Sequence, residues 1–316
     1  QTFDRITQLL PAENIFVITN AEYVELCQSQ LPEIPADNIV GEPIMKNTAA
    51  CNLYMVNKIA AINSEANIIV LPADHLILKE KTFAEKISLA LDVAHKNDFL
   101  ITLGIQPTRP DTGYGYIQFL GNNEEQVFKV KTFTEKPSLD IAKSFLESGD
   151  FLWNAGIFVW NVQSILKAFE KYLPEMAQQF LSCEYNSQKE IECIHDIYPK
   201  VAKISIDNGI LEKADNVYVI PADLGWSDLG TWTSVYQNAP KDDNNNALGS
   251  KFVLTYNASG NIIRTKKNKA VVIDGLENYI VVDTDKALLI CPRENDQLIK
   301  EYVMDLKSLK KGDLFM

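Results

Sequence analysis

Histidine is scarce, with three in 316 residues. None stands beside a serine in a triad-like context, which argues against Ser-His nucleophilic catalysis. The stretch Gly225-Trp226-Ser227-Asp228-Leu229 comes within one residue of a nucleophile elbow, but it has Leu229 where that turn requires glycine. There is no Walker A loop, and no G-x-G-x-x-G follows a strand. Cys27, Cys51, Cys183, Cys193 and Cys291 are scattered, odd in number and free of any CxxC pair. That pattern reads as a reduced, cytoplasmic protein, not as a disulfide framework. Cys183, Cys193 and His195 fit no common zinc spacing and lack a fourth ligand, so they are expected to be ordinary surface or core residues. No apolar run approaches the roughly 20 residues needed to cross a bilayer. Positive charge is also short: 30 Lys and Arg face 42 Asp and Glu, a net charge of −12. A nucleic-acid groove or an anionic membrane surface is therefore not expected as a partner. A phosphate-bearing small molecule stays compatible, since it needs only a local cluster of donors or a metal.

What is present is ordinary globular composition, 46% hydrophobic and 23% charged, at a length that suits one large α/β domain and a smaller one. The chain starts at Gln1, without methionine, in an amphipathic stretch (Phe3, Ile6, Leu9, Leu10), so natural sequence is expected to precede it. "NIFVITN", "DNIVGEP", "ANIIVLP" and "DFLITLGI" read as strands separated by helices. Asn47 or Thr48 is placed to cap one of these helices, and a Thr82/Glu85 capping box is placed to open another. Near-continuous apolar strands alternating with helices predict a Rossmann-like, mostly parallel sheet covered on both faces, with ligands at the carboxyl ends of its strands. Residues 114–160 are richer in strands, and helices dominate from Val162 to about Pro199. The polar run Pro240–Ser250 reads as a linker. The expected division is a first domain over 1–240 and a small β-rich region with a terminal helix over 241–316. No internal repeat is apparent beyond one echo, Pro72-Ala73-Asp74 and Pro221-Ala222-Asp223.

Carboxylates and small residues at strand ends are the remaining chemistry. Asp74 and Asp228 are a natural pair for one hard divalent cation such as Mg²⁺, which is usually held by one or two carboxylates plus substrate phosphates. Capping of a turn by Asp74 and of the helix "GTWTSVYQ" by Asp228 is the bland alternative. In "TGYGYI", Gly113 and Gly115 flank Tyr114; they either let a ligand approach the backbone or form a tight turn. Glu135 and Lys136 end a strand, where they could hold sugar hydroxyls and a phosphate, or form a solvated pair. Asn154, beside Ala155 and Gly156, either reads a hydroxyl or simply packs.

The order of these pieces is more informative than any one of them. Glu42-Pro43 … Asn47-Thr48-Ala49, Leu71-Pro72-Ala73-Asp74-His75, Thr112-Gly113-Tyr114-Gly115-Tyr116, Glu135-Lys136-Pro137, Trp153-Asn154-Ala155-Gly156 and Gly225-Trp226-Ser227-Asp228-Leu229-Gly230 occur in register. The series resembles the mannose-1-phosphate guanylyltransferases, among the sugar-nucleotide pyrophosphorylases. The resemblance implies a nucleotidyltransferase domain, Mg²⁺ dependence, and GTP and α-D-mannose 1-phosphate as substrates, giving GDP-mannose and pyrophosphate. It implies Asp74 and Asp228 as metal ligands and Glu42, Asn47 and Thr48 at the nucleotide. Gly113, Tyr114, Gly115, Glu135, Asn154 and Asp207 would line the sugar pocket, with Lys136 at the sugar phosphate. A carboxylate at Glu42 suits guanine, because it can accept from both N–H donors of the base edge. Another sugar 1-phosphate or nucleotide, or a non-catalytic nucleotide-sugar-binding homologue, are the competing readings. Two departures stand out. Lys46 occupies a position that is usually arginine in the family. The family's opening strand and glycine-rich phosphate loop are not among these residues and are expected upstream of Gln1; without them the chain would lack a cradle for the triphosphate. A homodimer through the β-rich tail is a further expectation, as is a single activity, since no isomerase domain follows the tail.

Overall fold

The structure is a computed structural model that describes residues 1–121, 126–250, 252–266 and 269–308. The end of the expected C-terminal region, 309–316, lies outside the described residues. Two compact units emerge: residues 1–73 with 77–226, and residues 74–76 with the described residues from 227 onward. The boundary therefore falls earlier than the expected 240, and the segment Asp74–Leu76 joins the second unit.

The first unit begins with a short helix α1 (Thr2–Ile6), then β1 (Val17–Asn20), α2 (Val24–Gln30) and β2 (Ile39–Glu42). β1 and β2 pair in parallel as a two-stranded sheet. Helix α3 (Thr48–Ala60) leads to β3 (Asn67–Val70), α4 (Glu80–Lys96) and β4 (Leu100–Ile105). After these come β5 (Gly115–Leu120), β6 (Phe128–Glu135), α5 (Leu139–Ser148), β7 (Phe151–Asn161), α6 (Val162–Tyr172), α7 (Pro174–Phe180), α8 (Glu190–Ile197) and β8 (Val217–Pro221).

Six of these strands form the central sheet, in the order β3-β7-β4-β8-β6-β5. Strand β4 is buried along its whole length because both faces are covered. Its alternate residues divide accordingly: Leu100 joins the core on one face, while Ile101, Leu103 and Ile105 join the core on the other. Helix α4 covers that second face with Phe83, Ile87, Ala90 and Ala94, all at helical spacing. The sheet is mixed. Among the described residues β4–β8 is its one parallel neighbour pair, because β7 inserts antiparallel between β3 and β4, and β6 runs against β8. β7 reads as an ordinary apolar strand, and nothing in its composition marks its direction.

Two smaller expectations also change. No Thr82/Glu85 box opens α4, which starts at Glu80. The Leu78 and Lys79 N–H groups both donate to the Leu224 carbonyl and fix the start earlier. The cysteines are not all thiols: Cys183 and Cys193 form a disulfide, with Cα atoms 5.7 Å apart. The turn after α7 and the packing of α7 against α8 bring them together, a contact that a ten-residue spacing does not announce.

The second unit carries α9 (Trp232–Asn238), β9 (Ala247–Leu248), β10 (Val253–Tyr256), β11 (Ile262–Arg264), β12 (Val271–Asp274), β13 (Tyr279–Asp283), β14 (Leu288–Pro292) and α10 (Ile299–Ser308). β9, β11 and β13 stack in parallel and β14 closes that sheet antiparallel, while β10 and β12 stack on a second face. This is a repeat that the sequence hides. Asn246 and Asn261, both fully buried, fasten its rungs. Asn246 Oδ1 accepts from Asn261 N and Nδ2 at 3.0 and 2.9 Å, and Asn261 Oδ1 accepts from Tyr279 N at 2.8 Å. The expected linker Pro240–Ser250 thus contains the first rung, with Asp242 Oδ1 accepting from Asn246 N at 2.7 Å. Among the described residues, no helix is long and apolar enough to cross a membrane.

Candidate active site

Asn154 shows how the first unit aims a polar side chain. Between Thr102 and Gly104, the β4–β7 pairing slips from Phe158 to Asn154, so β7 bulges at Ala155-Gly156. Gly156 takes a positive φ of 67° there. Asn154 Oδ1 accepts from Gly156 N (3.1 Å) and from Thr102 Oγ1 (3.0 Å). With its oxygen held by two donors, the amide presents Nδ2 to Asp207 Oδ1 at 3.0 Å.

Asp207 opens a single π-helical turn, Asp207–Leu211, an irregularity frequent at functional sites. Burial first, and then the Glu135 carboxylate, push its pKa up to about 6; Lys136 and the Asn154 hydrogen bond oppose the rise. Glu135 pairs across the sheet with Gly115, and Lys136 Nζ donates to Glu135 Oε1 at 2.6 Å. Gly115 leaves room for that carboxylate: a Cβ there would lie 2.5 Å from Glu135 Oε2. Gly115, Glu135, Lys136, Asn154 and Asp207, spread over almost a hundred residues, therefore converge. Such a set of two carboxylates, an amide and an ammonium can bind hydroxyls and one anionic group.

The flanking loop is set by Asp111, whose Oδ1 accepts from Gly113 N at 2.9 Å and whose Oδ2 is paired with Arg109 at 2.8 Å. The Tyr114 ring is buried edge-on against Trp153 and Trp226, with centroids 5.0 and 5.2 Å away. Its backbone carbonyl instead accepts from Lys136 N at 3.2 Å.

A second cluster lies at the N-terminus of α3. Asn47 caps the helix, its side chain accepting from Thr48 N at 2.8 Å. Thr48 Oγ1 accepts from Ile206 N at 2.8 Å, which ties the helix start to the residue before Asp207. Lys46 Nζ donates to the carbonyls of Pro199 and Val201 at 3.0 and 2.9 Å, so its charge serves the backbone in this structure. Glu42 is half-buried and its Oε1 accepts from the Tyr198 hydroxyl at 3.0 Å. Burial raises the Glu42 pKa, and the tyrosine hydrogen bond offsets part of the rise.

In the second unit, Leu76 and Ser227 form an antiparallel bridge, each N–H donating to the other's carbonyl at 2.8 and 3.0 Å. That bridge brings the stretches bearing Asp74 and Asp228 side by side from opposite parts of the chain. Asp228 does not cap α9; Thr231 does so, in a capping box with Ser234. Asp228 Oδ1 accepts instead from Gly230 N at 3.0 Å. The donor set of two oxygen-bearing carboxylates suits a hard cation that completes its shell with water and phosphate. Among the described residues no cluster of three or more His, Cys, Asp or Glu could hold a metal.

Seven described non-glycine residues have a positive φ; four are asparagines away from the candidate residues, and three belong to or adjoin them. Asn47, Lys136 and Leu229 have φ of 68°, 48° and 51°. For side chains of this kind such values cost on the order of 1–3 kcal/mol each and recur at ligand sites. All three are candidate residues or adjoin one. Thr102 and Tyr198, which hold Asn154 and Glu42, were not singled out from the sequence; a lone threonine inside a strand and a lone tyrosine after a helix carry no signal.

A family model described as nucleotidyl transferase matches residues 5–245, more than half of the chain. The chain belongs to the nucleotidyl transferase family. A second model, a mannose-phosphate isomerase/GMP-like β-helix domain, matches 253–306, where the stacked parallel strands lie. The chain is 32% identical to a mannose-1-phosphate guanylyltransferase of Klebsiella pneumoniae over 98% of its own length and 67% of that protein's. It is 30% identical to the alginate biosynthesis protein AlgA of Pseudomonas aeruginosa, over 94% of this chain and 63% of that one. A crystal structure from Thermus thermophilus, described as a mannose-1-phosphate geranyltransferase, superposes with a TM-score of 0.85 at 25% identity, covering 97% of this chain and 88% of the other.

Proposed function

We propose that the chain joins GTP and α-D-mannose 1-phosphate into GDP-mannose and pyrophosphate. The observation that supports this most is the convergence of Asn154, Asp207, Glu135 and Lys136 around Gly115. Acceptors for sugar hydroxyls stand there beside a single ammonium for a phosphate. In this reading an oxygen of the sugar phosphate attacks the α-phosphorus of GTP. A new P–O bond forms, the bond to the β-phosphate oxygen breaks, and pyrophosphate leaves with the electron pair. The nucleophile is already an oxyanion, so no serine, cysteine or histidine is required, and the protein must mainly position groups and offset charge. Asn154 and Asp207 bind sugar hydroxyls together with Glu135, and Lys136 holds the sugar phosphate. Glu42 accepts from the base, and the N-terminus of α3 at Asn47 and Thr48 faces the nucleotide. Asp74 and Asp228 would hold Mg²⁺, whose positive charge would offset phosphate charge.

Pyrophosphate release by the full-length protein, assayed over a panel of nucleoside triphosphates and sugar 1-phosphates, tests the reading. GTP with mannose 1-phosphate should give the highest kcat/KM. Asp228→Asn should abolish Mg²⁺-dependent turnover and leave the melting temperature within a few degrees. Turnover undiminished in Asp228→Asn would remove the metal assignment, and a different preferred pair would replace the substrates named here.

A further inference from the structure

Tyr198 follows α8, and its ring is fully buried. Tyr54 lies edge-on to it with centroids 6.2 Å apart, and Phe180 likewise at 5.8 Å. The Tyr198 N–H is fixed to the Ile194 carbonyl at 3.0 Å. The next residues are stitched to the loop after β2, since Lys46 grips the carbonyls of both Pro199 and Val201. A phenol held this way cannot follow a moving partner. Its hydroxyl points at one place, Glu42 Oε1, 3.0 Å away.

A glutamate carboxylate left to itself turns easily about its last torsion, which is broad and roughly two-fold. A fixed donor on one oxygen removes that freedom and sets the plane in which the remaining lone pairs lie. Guanine presents two parallel donors, N1–H and the exocyclic amine, and only a carboxylate coplanar with the base can take both. We infer that Tyr198 is a positioning residue for base selection: its hydroxyl fixes the plane of the Glu42 carboxylate so that it meets the paired N–H donors of a guanine base. The inference rests on the assignment of Glu42 to the base. Tyr54 provides an internal control. It is buried in the same aromatic cluster, but its hydroxyl donates to Glu190 Oε1 at 2.7 Å and not to Glu42.

The test compares Tyr198→Phe, Tyr54→Phe, Glu42→Gln and the double variant Tyr198→Phe/Glu42→Gln in the full-length protein. GTP is set against ITP, whose base lacks the exocyclic amine, below the melting temperature of every variant. Tyr198→Phe should raise the KM for GTP roughly tenfold and shrink the preference for GTP over ITP, as expected for losing a hydrogen bond to a charged group. kcat and the KM for mannose 1-phosphate should stay within about twofold, because neither depends on base contacts. The acid limb of kcat/KM for GTP should move to higher pH, since the phenol opposes the burial that raises the Glu42 pKa. On the Glu42→Gln background Tyr198→Phe should change the GTP/ITP ratio no further, and Tyr54→Phe should leave the ratio untouched. If Glu42→Gln loses the preference while Tyr198→Phe keeps it, the positioning role is wrong and the base assignment stands. If Glu42→Gln keeps the preference, the base assignment fails and Tyr198 goes with it. A Tyr198→Phe variant that loses all kinetic constants alike, with a lowered melting temperature, is a packing defect and overturns the inference.

Discussion

Asp207 carries a charge that the fold resists, so removing the charge should stabilise the protein while harming its chemistry. Its pKa rises from 3.8 to about 6 through burial and the nearby Glu135. The sign follows from linkage. An acid whose pKa is raised on folding holds its proton more tightly in the folded state, so the native state is penalised once the pH exceeds the unfolded value. The penalty is absent below pH ~4, grows through pH 4–6, and is complete above. Two pH units correspond to about 3 kcal/mol at full ionisation. Asp207→Asn keeps an acceptor for Asn154 Nδ2 and removes the titration. In urea denaturation, the variant should therefore be more stable than the parent by about 3 kcal/mol at pH 8 and by only about 1 kcal/mol at pH 4.5. Turnover with mannose 1-phosphate should fall by at least tenfold in the same variant, since it loses a charged acceptor. A stability change of equal size at both pH values, or destabilisation at pH 8, would refute the account of Asp207 as a partly buried acid whose ionisation the fold opposes.

Three further outcomes follow from geometry. Gly115→Ala puts a methyl 2.5 Å from Glu135 Oε2; the carboxylate must move, and the KM for the sugar phosphate should rise at least tenfold in steady-state assays while the fold survives. Glu190→Gln leaves the buried Lys58 ammonium, now 2.9 Å from the carboxylate, without its countercharge. That should cost about 3–5 kcal/mol in chemical denaturation; a loss under about 1 kcal/mol would contradict the burial argument. Burial alone would raise the Glu190 pKa, but Lys58, Tyr54 and the Asn186 N–H outweigh it and hold the carboxyl below its usual range. Reducing Cys183–Cys193 opens a short loop, and by loop-closure entropy should lower stability by about 2–3 kcal/mol. Identical urea midpoints with and without dithiothreitol would show that the bond contributes nothing.

Part of the candidate set was legible in short, ordered motifs: Gly115 opens β5 and Glu135 closes β6, but Asn154 lies inside β7, Asn47 and Thr48 stand at a helix start, and Asp207 sits in a π-helical turn that no apolar run announces. The strands themselves announced their positions through buried apolar runs. Direction was another matter: β7 carries the same residues whether it runs with β4 or against it, and only the pairing reveals which. The disulfide escaped because it depends on two helices packing, and α4 starts early because a carbonyl from residue 224 captures two N–H groups there. The stacked strands of the tail escaped for a different reason. Their rungs are separated by 15 and then 18 residues, so no fixed period appears in the sequence.

That unequal spacing has a consequence for how such a tail can change over time. Each coil is latched to its neighbour by a sunken amide and not by a set count of residues. The bends between latches can gain or shed a few positions, and the latch still finds its mate. A search for evenly spaced copies will pass over this architecture, whereas a search for an interior asparagine ahead of a pair of aliphatic residues should find it.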